Sequence, residues 1–313
     1  MTTPVELFEM PEVDKVDEVY MIAGWRQWAD AGSVSSGLPQ YLIEKLGARK
    51  IGRIQPDGFY LFQTPVSQFL FRPQFKFEDG YRKEVSGHSN DVYYWSNGRR
   101  GLVIFIGDEP HMNAERYAEA FFELAKELKV KRIVATGGVY AMVPYDKDRT
   151  FSVTYAMPHM KEELEEYAVT FSNYEGGVSI GSYLEDRAEQ VGQEYFAMYA
   201  FVPAYDFSQF NQQRPQQPQQ ISIDEDFKAW HDLMMRLNNM FKLGIDLSDL
   251  TQKSDEVIKQ IGNAIDELAT QLPQAPIKEW MGKLNADFVE MPFNKLDDVW
   301  EDALGDIFGE DDK

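Results

Sequence analysis

The sequence predicts an α/β fold, a helix-covered sheet with parallel strands at its centre, and three observations carry that expectation. Residues 101–138 (GLVIFIGDEPHMNAERYAEAFFELAKELKVKRIVATGG) parse as strand, loop, helix, strand. Residues 102–106 and 132–136 are unbroken, largely β-branched apolar runs, as strands covered on both faces require, and the second closes at Gly137 and Gly138. Between them Ala114, Tyr117, Ala118, Phe121, Leu124, Ala125 and Leu128 recur at helical spacing behind Asn113, a suitable N-cap.

This unit cannot stand alone. Burying the helix stripe yields about 1.5–3 kcal/mol per large apolar side chain. Ordering the backbone costs about 1–2 kcal/mol per residue. The two nearly cancel, so the helix needs a sheet beneath it. A short crossover between two buried strands predicts that 102–106 and 132–136 are parallel neighbours.

Composition bounds the rest. The chain has 313 residues, 43% of them hydrophobic, with 21 Phe, 16 Tyr and 6 Trp, enough for a substantial core. It has no cysteine, which removes disulfides, thiolate metal sites and cysteine nucleophiles. A formal net charge of −21 argues against nucleic acid and anionic membrane surfaces as partners. The N-terminal MTTPVELFEMPE has neither the basic start nor the apolar core of a secretion signal, and no apolar run approaches the ~20 residues of a membrane span. A cytoplasmic protein is expected.

Taken in order, residues 17–24 (DEVYMIAG) form the first core strand, ending at Gly24. The loop from Gly24 through Trp25, Trp28 and Asp30 to Gly32 then feeds a helix over 35–46. Loops at the carboxyl ends of parallel strands are where open α/β sheets bind ligands, so Trp25, Trp28 and Asp30 are candidate site residues. The alternative is that the tryptophans cap the sheet edge. Residues 53–95 carry short aromatic runs, 59–62, 69–71, 75–77 and 92–95, punctuated by Gly and Pro. These predict antiparallel strands decorating the main sheet, their aromatic surface serving as a second core face or a subunit interface. Further strands are expected at 150–155, 167–171 and 195–202, the last closed by Pro203. A turn at 175–181 opens a helix running to about residue 190.

Residues 208–220 (SQFNQQRPQQPQQ) are Gln/Pro-rich and read as a linker or mobile loop. The expected division is an α/β core domain over 1–206, a linker over 207–221 and an acidic helical segment over 222–313. Phe227, Trp230, Met234, Leu237 and Phe241 form one helical stripe, Ile258, Ile261, Ile265, Leu268 and Leu272 another, and residues 296–307 a third. From residue 207 onward 10 Lys and Arg face 21 Asp and Glu, so acidity is concentrated there.

Motifs with chemistry are few. There is no phosphate-cradling GxxxxGK[ST], no GxGxxG after a strand and no HExxH. The four histidines are scattered, and His111 with Glu115 reads as surface polarity at a helix start. Gly177-Val178-Ser179-Ile180-Gly181 matches the GxSxG nucleophile elbow, but a spacer separates it from its strand and the only later histidine is His231. Its glycines read as a tight turn and close helix packing. Asp108 and Glu109 end a strand as a carboxylate pair suited to acid–base work or, more simply, to a helix N-terminus. No cofactor and no metal is called for.

Taken together, GWRQWADAG, FRPQFKFEDGYRKEVSGHSNDVYYW, GLVIFIGDEPHMNAERYAEAFFELA, VPYDKDRTFSV, GGVSIGSYLEDRAEQ and YAFVPAY occur in the order of one family. Over about residues 19–205 the chain resembles the proteasome assembly chaperone family, specifically bacterial and archaeal relatives of its second subunit. Two family features differ here: Asn113-Ala114 replaces an aromatic, and a Pro-His-Thr-Arg-like loop becomes residues 144–149. The resemblance implies a three-layer α/β/α core of phosphorylase/hydrolase-like topology, usually with C-terminal helices, in proteins that self-associate. The hydrophobic–Tyr–any tail by which some members dock on proteasome rings is not matched by residues 309–313 (GEDDK).

The expected function is therefore a non-enzymatic homo-oligomer of assembly-chaperone type, a trimer being one option. Its clients would be proteins such as proteasome-like subunits, with the aromatic β segment and the acidic helices as interfaces. The alternative is a small-molecule binding protein or phosphorylase/hydrolase-like enzyme with its site at the strand ends. Candidate pocket or family-motif residues are Gly24, Trp25, Asp30, Gly107, Glu109, Pro110, Gly137, Gly138, Pro144, Arg149, Gly177 and Gly181.

Overall fold

A computed structural model describes residues 4–62, 72–208, 220–291 and 293. In chain order the strands are β1 (Val5–Leu7), β2 (Glu18–Arg26), β3 (Arg49–Ile54), β4 (Gln74–Glu78), β5 (Tyr81–Ser86), β6 (Asn90–Ser96), β7 (Arg100–Asp108), β8 (Val130–Ala141), β9 (Phe151–Tyr155), β10 (Thr170–Phe171), β11 (Glu194–Asp206) and β12 (Gln220–Ser222). The helices are α1 (Gly37–Leu46), α2 (Ala114–Glu127), α3 (Met160–Glu165), α4 (Ile180–Val191), α5 (Phe227–Phe241), α6 (Ser248–Gln271) and α7 (Ile277–Asp287).

Ten strands form one mixed sheet in the order β1-β3-β6-β7-β2-β8-β11-β9-β10, with β12 paired to β11; β4 and β5 form a separate hairpin. The centre, β7-β2-β8-β11, is parallel throughout. Alternate residues of β2 face opposite layers. Tyr20 and Ile22 pack with Leu38 and Leu42 of α1 and Leu233 and Leu237 of α5. Met21 and Ala23 pack with Phe121 and Leu124 of α2 and Leu184 of α4. The molecule is thus the expected three-layer α/β/α sandwich.

The strands at 102–106 and 132–136 do run the same way in this sheet, but they are not side by side: β2 lies between them. The reason is spatial. Strands sit about 4.8 Å apart and a helix with its side chains is about 10 Å wide, so α2 spans two spacings. The central place goes to β2, seven of whose nine residues are buried.

Other boundaries moved for local reasons. The aromatic run 59–62 is no strand; the chain turns at Gly58 (φ 87°), and Phe59 is buried edge-on to Tyr117 at 5.2 Å. Runs 75–77 and 92–95 fall in β4 and β6, and 69–71 lies outside the described residues. Strand β11 continues past Pro203, which pairs with Ala141 at the end of β8, just where β12 takes over as partner. The missing N–H therefore costs no ladder bond with a continuing strand. Asn113 does precede α2, but in left-handed geometry (φ 56°), with its side chain donating to the Gly58 carbonyl at 2.6 Å instead of capping the helix.

The stripes expected at 227–241 and 258–272 are α5 and α6. Trp230 donates from Nε1 to the Gly32 carbonyl at 3.0 Å, and Tyr20 stacks on Phe241 at 4.3 Å. Helix α5 thus buries its apolar face on the sheet, and α6 packs against α5. Most of the Gln/Pro-rich stretch and the stripe at 296–307 lie outside the described residues. Among the described residues no helix is long and apolar enough to cross a membrane.

Candidate functional site

The carboxyl ends of β2, β7, β8 and β11 gather on one rim of the sheet. The loop leaving β2 folds over β8, where Asp30 bridges Gly138 and the Gly138 N–H donates to the Ala29 carbonyl at 3.0 Å. The glycine pair permits this approach. A Cβ on Gly138 would overlap the Ala31 carbonyl oxygen, and one on Gly137 would overlap the Tyr199 ring. Gly24 has the same role against the Ser35 carbonyl, and Gly107 admits the Asn90 side chain, whose Oδ1 would lie 2.7 Å from a Cβ there.

Two carboxylates hold the rim together. Asp30 accepts from the Ser35 and Ser36 N–H groups at 2.8 and 2.9 Å and from the Ser36 hydroxyl at 2.6 Å, closing the first turn before α1. Burial pushes its carboxyl above the ordinary range even though the serine bonds pull it down. Glu109 accepts from the Ile180 N–H at the start of α4 (2.7 Å) and from the Trp28 N–H (3.2 Å). It therefore neutralises the positive end of α4 and ties two loops together.

On one side of Glu109 lies a shallow cavity of about 440 Å³, lined by Arg26, Gln27, Asp30, His88, Asp108, Glu109, Pro110 and His111. Asp108 takes a forked ion pair from Arg26, Nε at 2.7 Å and Nη2 at 3.1 Å, and also the Ser89 N–H at 2.7 Å. Burial alone lowers the Arg26 pKa, but Asp108 more than reverses this. Tyr60 stacks on His88 at 4.2 Å and meets His111 edge-on at 5.5 Å. Burial, reinforced by the neighbouring His88, holds His111 below the usual histidine range. Behind this wall a buried relay runs from Trp25 Nε1 to the Tyr117 hydroxyl (2.9 Å) and on to Asn90 Oδ1 (3.0 Å).

On the other side is a deeper cavity of about 620 Å³ between the start of α4, the loop carrying Trp28 and strands β9, β10 and β11. Ser179, the residue before α4, is 3% exposed and shares a hydrogen bond of 3.2 Å with the Tyr199 hydroxyl; Ser182 shares another of 2.7 Å. His231 lies in α5, in the opposite helical layer, with its ring beside Asp232 at 3.0 Å. The GxSxG serine and that histidine are therefore not brought together.

Of the candidate residues, Asp30, Glu109 and Pro110 line the smaller cavity and Gly177 the deeper one. Trp25 is turned into the core against Phe105 and Phe121. A Cβ on Gly181 would lie 3.4 Å from that of Ala135, an ordinary packing distance. Pro144 and Arg149 are buried and line neither cavity, Arg149 being paired with Asp226 just ahead of α5. Sequence reasoning missed Arg26, Tyr60, His88, Glu185 and Tyr199, which no local spacing connects. It also misread His111, which faces His88 and Tyr60 while Glu115 pairs with Arg187. Among the described residues no group of three or more His, Asp or Glu side chains has the arrangement of a metal site.

A mixed sheet between two helical layers, with a rim of tied loops and a separate exposed hairpin, defines a three-layer α/β/α scaffold. The chain belongs to the PAC2 family, which it matches over residues 25–265. Solved structures support the fold. A proteasome-assembly chaperone homologue of Mycobacterium tuberculosis is 20% identical with a TM-score of 0.66, covering 78% of this chain and 94% of its own. A protein of unknown function from the same organism is 19% identical with a TM-score of 0.69, covering 98% and 92%. An archaeal proteasome activator of Pyrococcus furiosus is 15% identical with a TM-score of 0.56, covering 83% and 97%. Among curated proteins none matches this sequence.

Proposed function

We propose that this chain is a non-enzymatic, homo-oligomeric protein of assembly-chaperone type whose clients are other proteins, proteasome-like subunits being the class its relatives' names suggest. The observation that carries this reading is the hairpin β4–β5. Every residue of both strands is exposed. Phe75 is 45% exposed, Phe77 64%, Tyr81 73% and Val85 53%. Phe75 pairs across the hairpin with Val85, and the Phe75 and Phe77 rings stack at 6.0 Å, which makes a continuous apolar strip.

An isolated two-stranded hairpin is at best marginally stable in water and needs a covering surface. Exposed aromatics clustered in this way mark protein interfaces. A second copy of the chain is the occupant this reading commits to, with a client surface as the further function. Size-exclusion chromatography with light scattering on the full chain tests it. A defined oligomer at micromolar concentration is expected, and a clean monomer overturns the reading. Capture of proteasome-like subunits by the oligomer tests the client class separately.

A further inference from the structure

The deeper cavity has a lining that the assembly reading does not use. Its lining is rich in hydroxyl-bearing residues, among them Ser152, Thr154, Ser179, Ser182 and Tyr199, with the Ser179 and Ser182 hydroxyls bonded to that of Tyr199. One carboxylate, Glu185, lies among them and is hydrogen-bonded by Thr154. Aromatic rings complete the lining: Phe171, Tyr174 and Phe201, with Trp28 at the rim, 74% exposed.

Three features decide what fits. The lining contains no Lys, Arg or His, and its only charged side chain is a carboxylate, so an anionic ligand meets no counter-charge. The start of α4, which would otherwise attract an anion, is already neutralised by Glu109 on the Ile180 N–H. Burial raises the Glu185 pKa while the hydrogen bond from Thr154 favours its ionised form, and as a carboxylate it accepts hydrogen bonds from ligand hydroxyls. A neutral, hydroxyl-rich lining around a volume of about 620 Å³, with one carboxylate and flat rings for stacking, matches a ring compound bearing adjacent hydroxyl groups.

We infer that this cavity binds a neutral polyhydroxylated ring, either a free sugar or the ribose of a nucleoside, with Glu185 accepting from neighbouring ligand hydroxyls and Trp28 covering the ring face. Neither residue belongs to the exposed hairpin, so this inference does not rest on the assembly reading.

The test is calorimetric titration of the full chain with neutral mono- and disaccharides, with uncharged nucleosides, and with the phosphorylated form of each. Saturable binding in one neutral arm is expected and identifies the source of the ring; the phosphorylated forms should bind about tenfold more weakly or not at all. Glu185→Gln should weaken binding about tenfold, the effect of one lost charge-assisted hydrogen bond. Trp28→Ala, on an exposed loop, should weaken it with the unfolding transition unchanged. Absence of saturation in both neutral arms, equal or tighter binding of the phosphorylated forms, or unchanged affinity in the Trp28 variant overturns the inference. Light scattering on the same variants keeps this outcome separate from the assembly reading.

Discussion

Arg149 and Asp226 form a forked ion pair in which neither side chain has any solvent exposure: Nε to Oδ2 at 2.8 Å and Nη2 to Oδ1 at 3.3 Å. Asp226 also accepts from the Ala229 N–H at 3.1 Å and caps α5, while the Arg149 N–H donates to Asp232 at 2.8 Å. The remaining guanidinium donors reach the Tyr145 and Lys147 carbonyls at 3.0 and 2.8 Å. The loop over residues 144–149 is thus the clamp that seats α5 on the core.

Breaking that clamp leaves a buried charge unpaired, which costs about 3–5 kcal/mol. Arg149→Met should therefore lower unfolding stability by that amount in urea titration. Replacing Arg149 by Met and Asp226 by Leu together should recover part of the loss, because no lone charge remains. A single-variant loss under about 1 kcal/mol would show the pair to be more hydrated than its geometry implies.

The rim glycines separate into tight and loose positions. A Cβ on Gly138 meets backbone that has nowhere to go, whereas one on Gly177 meets nothing within 4 Å. Overpacking typically costs about 1–3 kcal/mol, more where backbone must shift. Gly138→Ala should destabilise by about 3 kcal/mol or more and Gly177→Ala by less than about 0.5 kcal/mol, read as the shift in thermal midpoint.

That contrast shows what a sequence carries. Strand and helix identities at 102–106, 114–128 and 227–241 were legible because burial writes itself as period and run length. Strand adjacency was not: β2 and β7 are joined through the 73 residues 27–99, and nothing local in either reveals the pairing. The loop after β2, Glu109 and the glycine pair were legible as rim residues from their place after buried strands. Trp25 was not legible as core, since an aromatic at a strand end reads equally as wall or lining. Glu185 and Tyr199 gave no signal, because the cavity they share forms only when α4 is laid across β11.

Histidine chemistry supplies a pH dependence. Burial first, and His88 second, depress the His111 pKa, so the unfolded chain takes up the proton more readily. Stability from this residue is complete above the ordinary histidine pKa of about 6.5 and is lost as the pH falls below it toward the depressed folded value. Urea unfolding should therefore show declining stability between about pH 7.5 and pH 5.5. Depressed carboxylates such as Glu194, which Arg132 holds low against the opposing effect of burial, lose their contribution only at more acid pH. In His111→Asn the slope between those two pH values should flatten, while any drop at lower pH remains.

The aromatic hairpin makes the sharpest separation between fold and function. Its side chains contribute no buried area to either core cluster. Replacing Phe75 and Phe77 with Ser should leave the thermal midpoint within about 0.5 kcal/mol of the parent's stability. If the strip is the contact between copies, the same change removes two large apolar anchors per protomer, each worth about 1.5–3 kcal/mol when buried. The oligomer should then dissociate by several powers of ten in concentration, since each ~1.4 kcal/mol is a factor of ten. Light scattering across a dilution series reads that directly. An oligomer that persists unchanged would move the interface elsewhere, and the hairpin would then stand as the surface left free for a client.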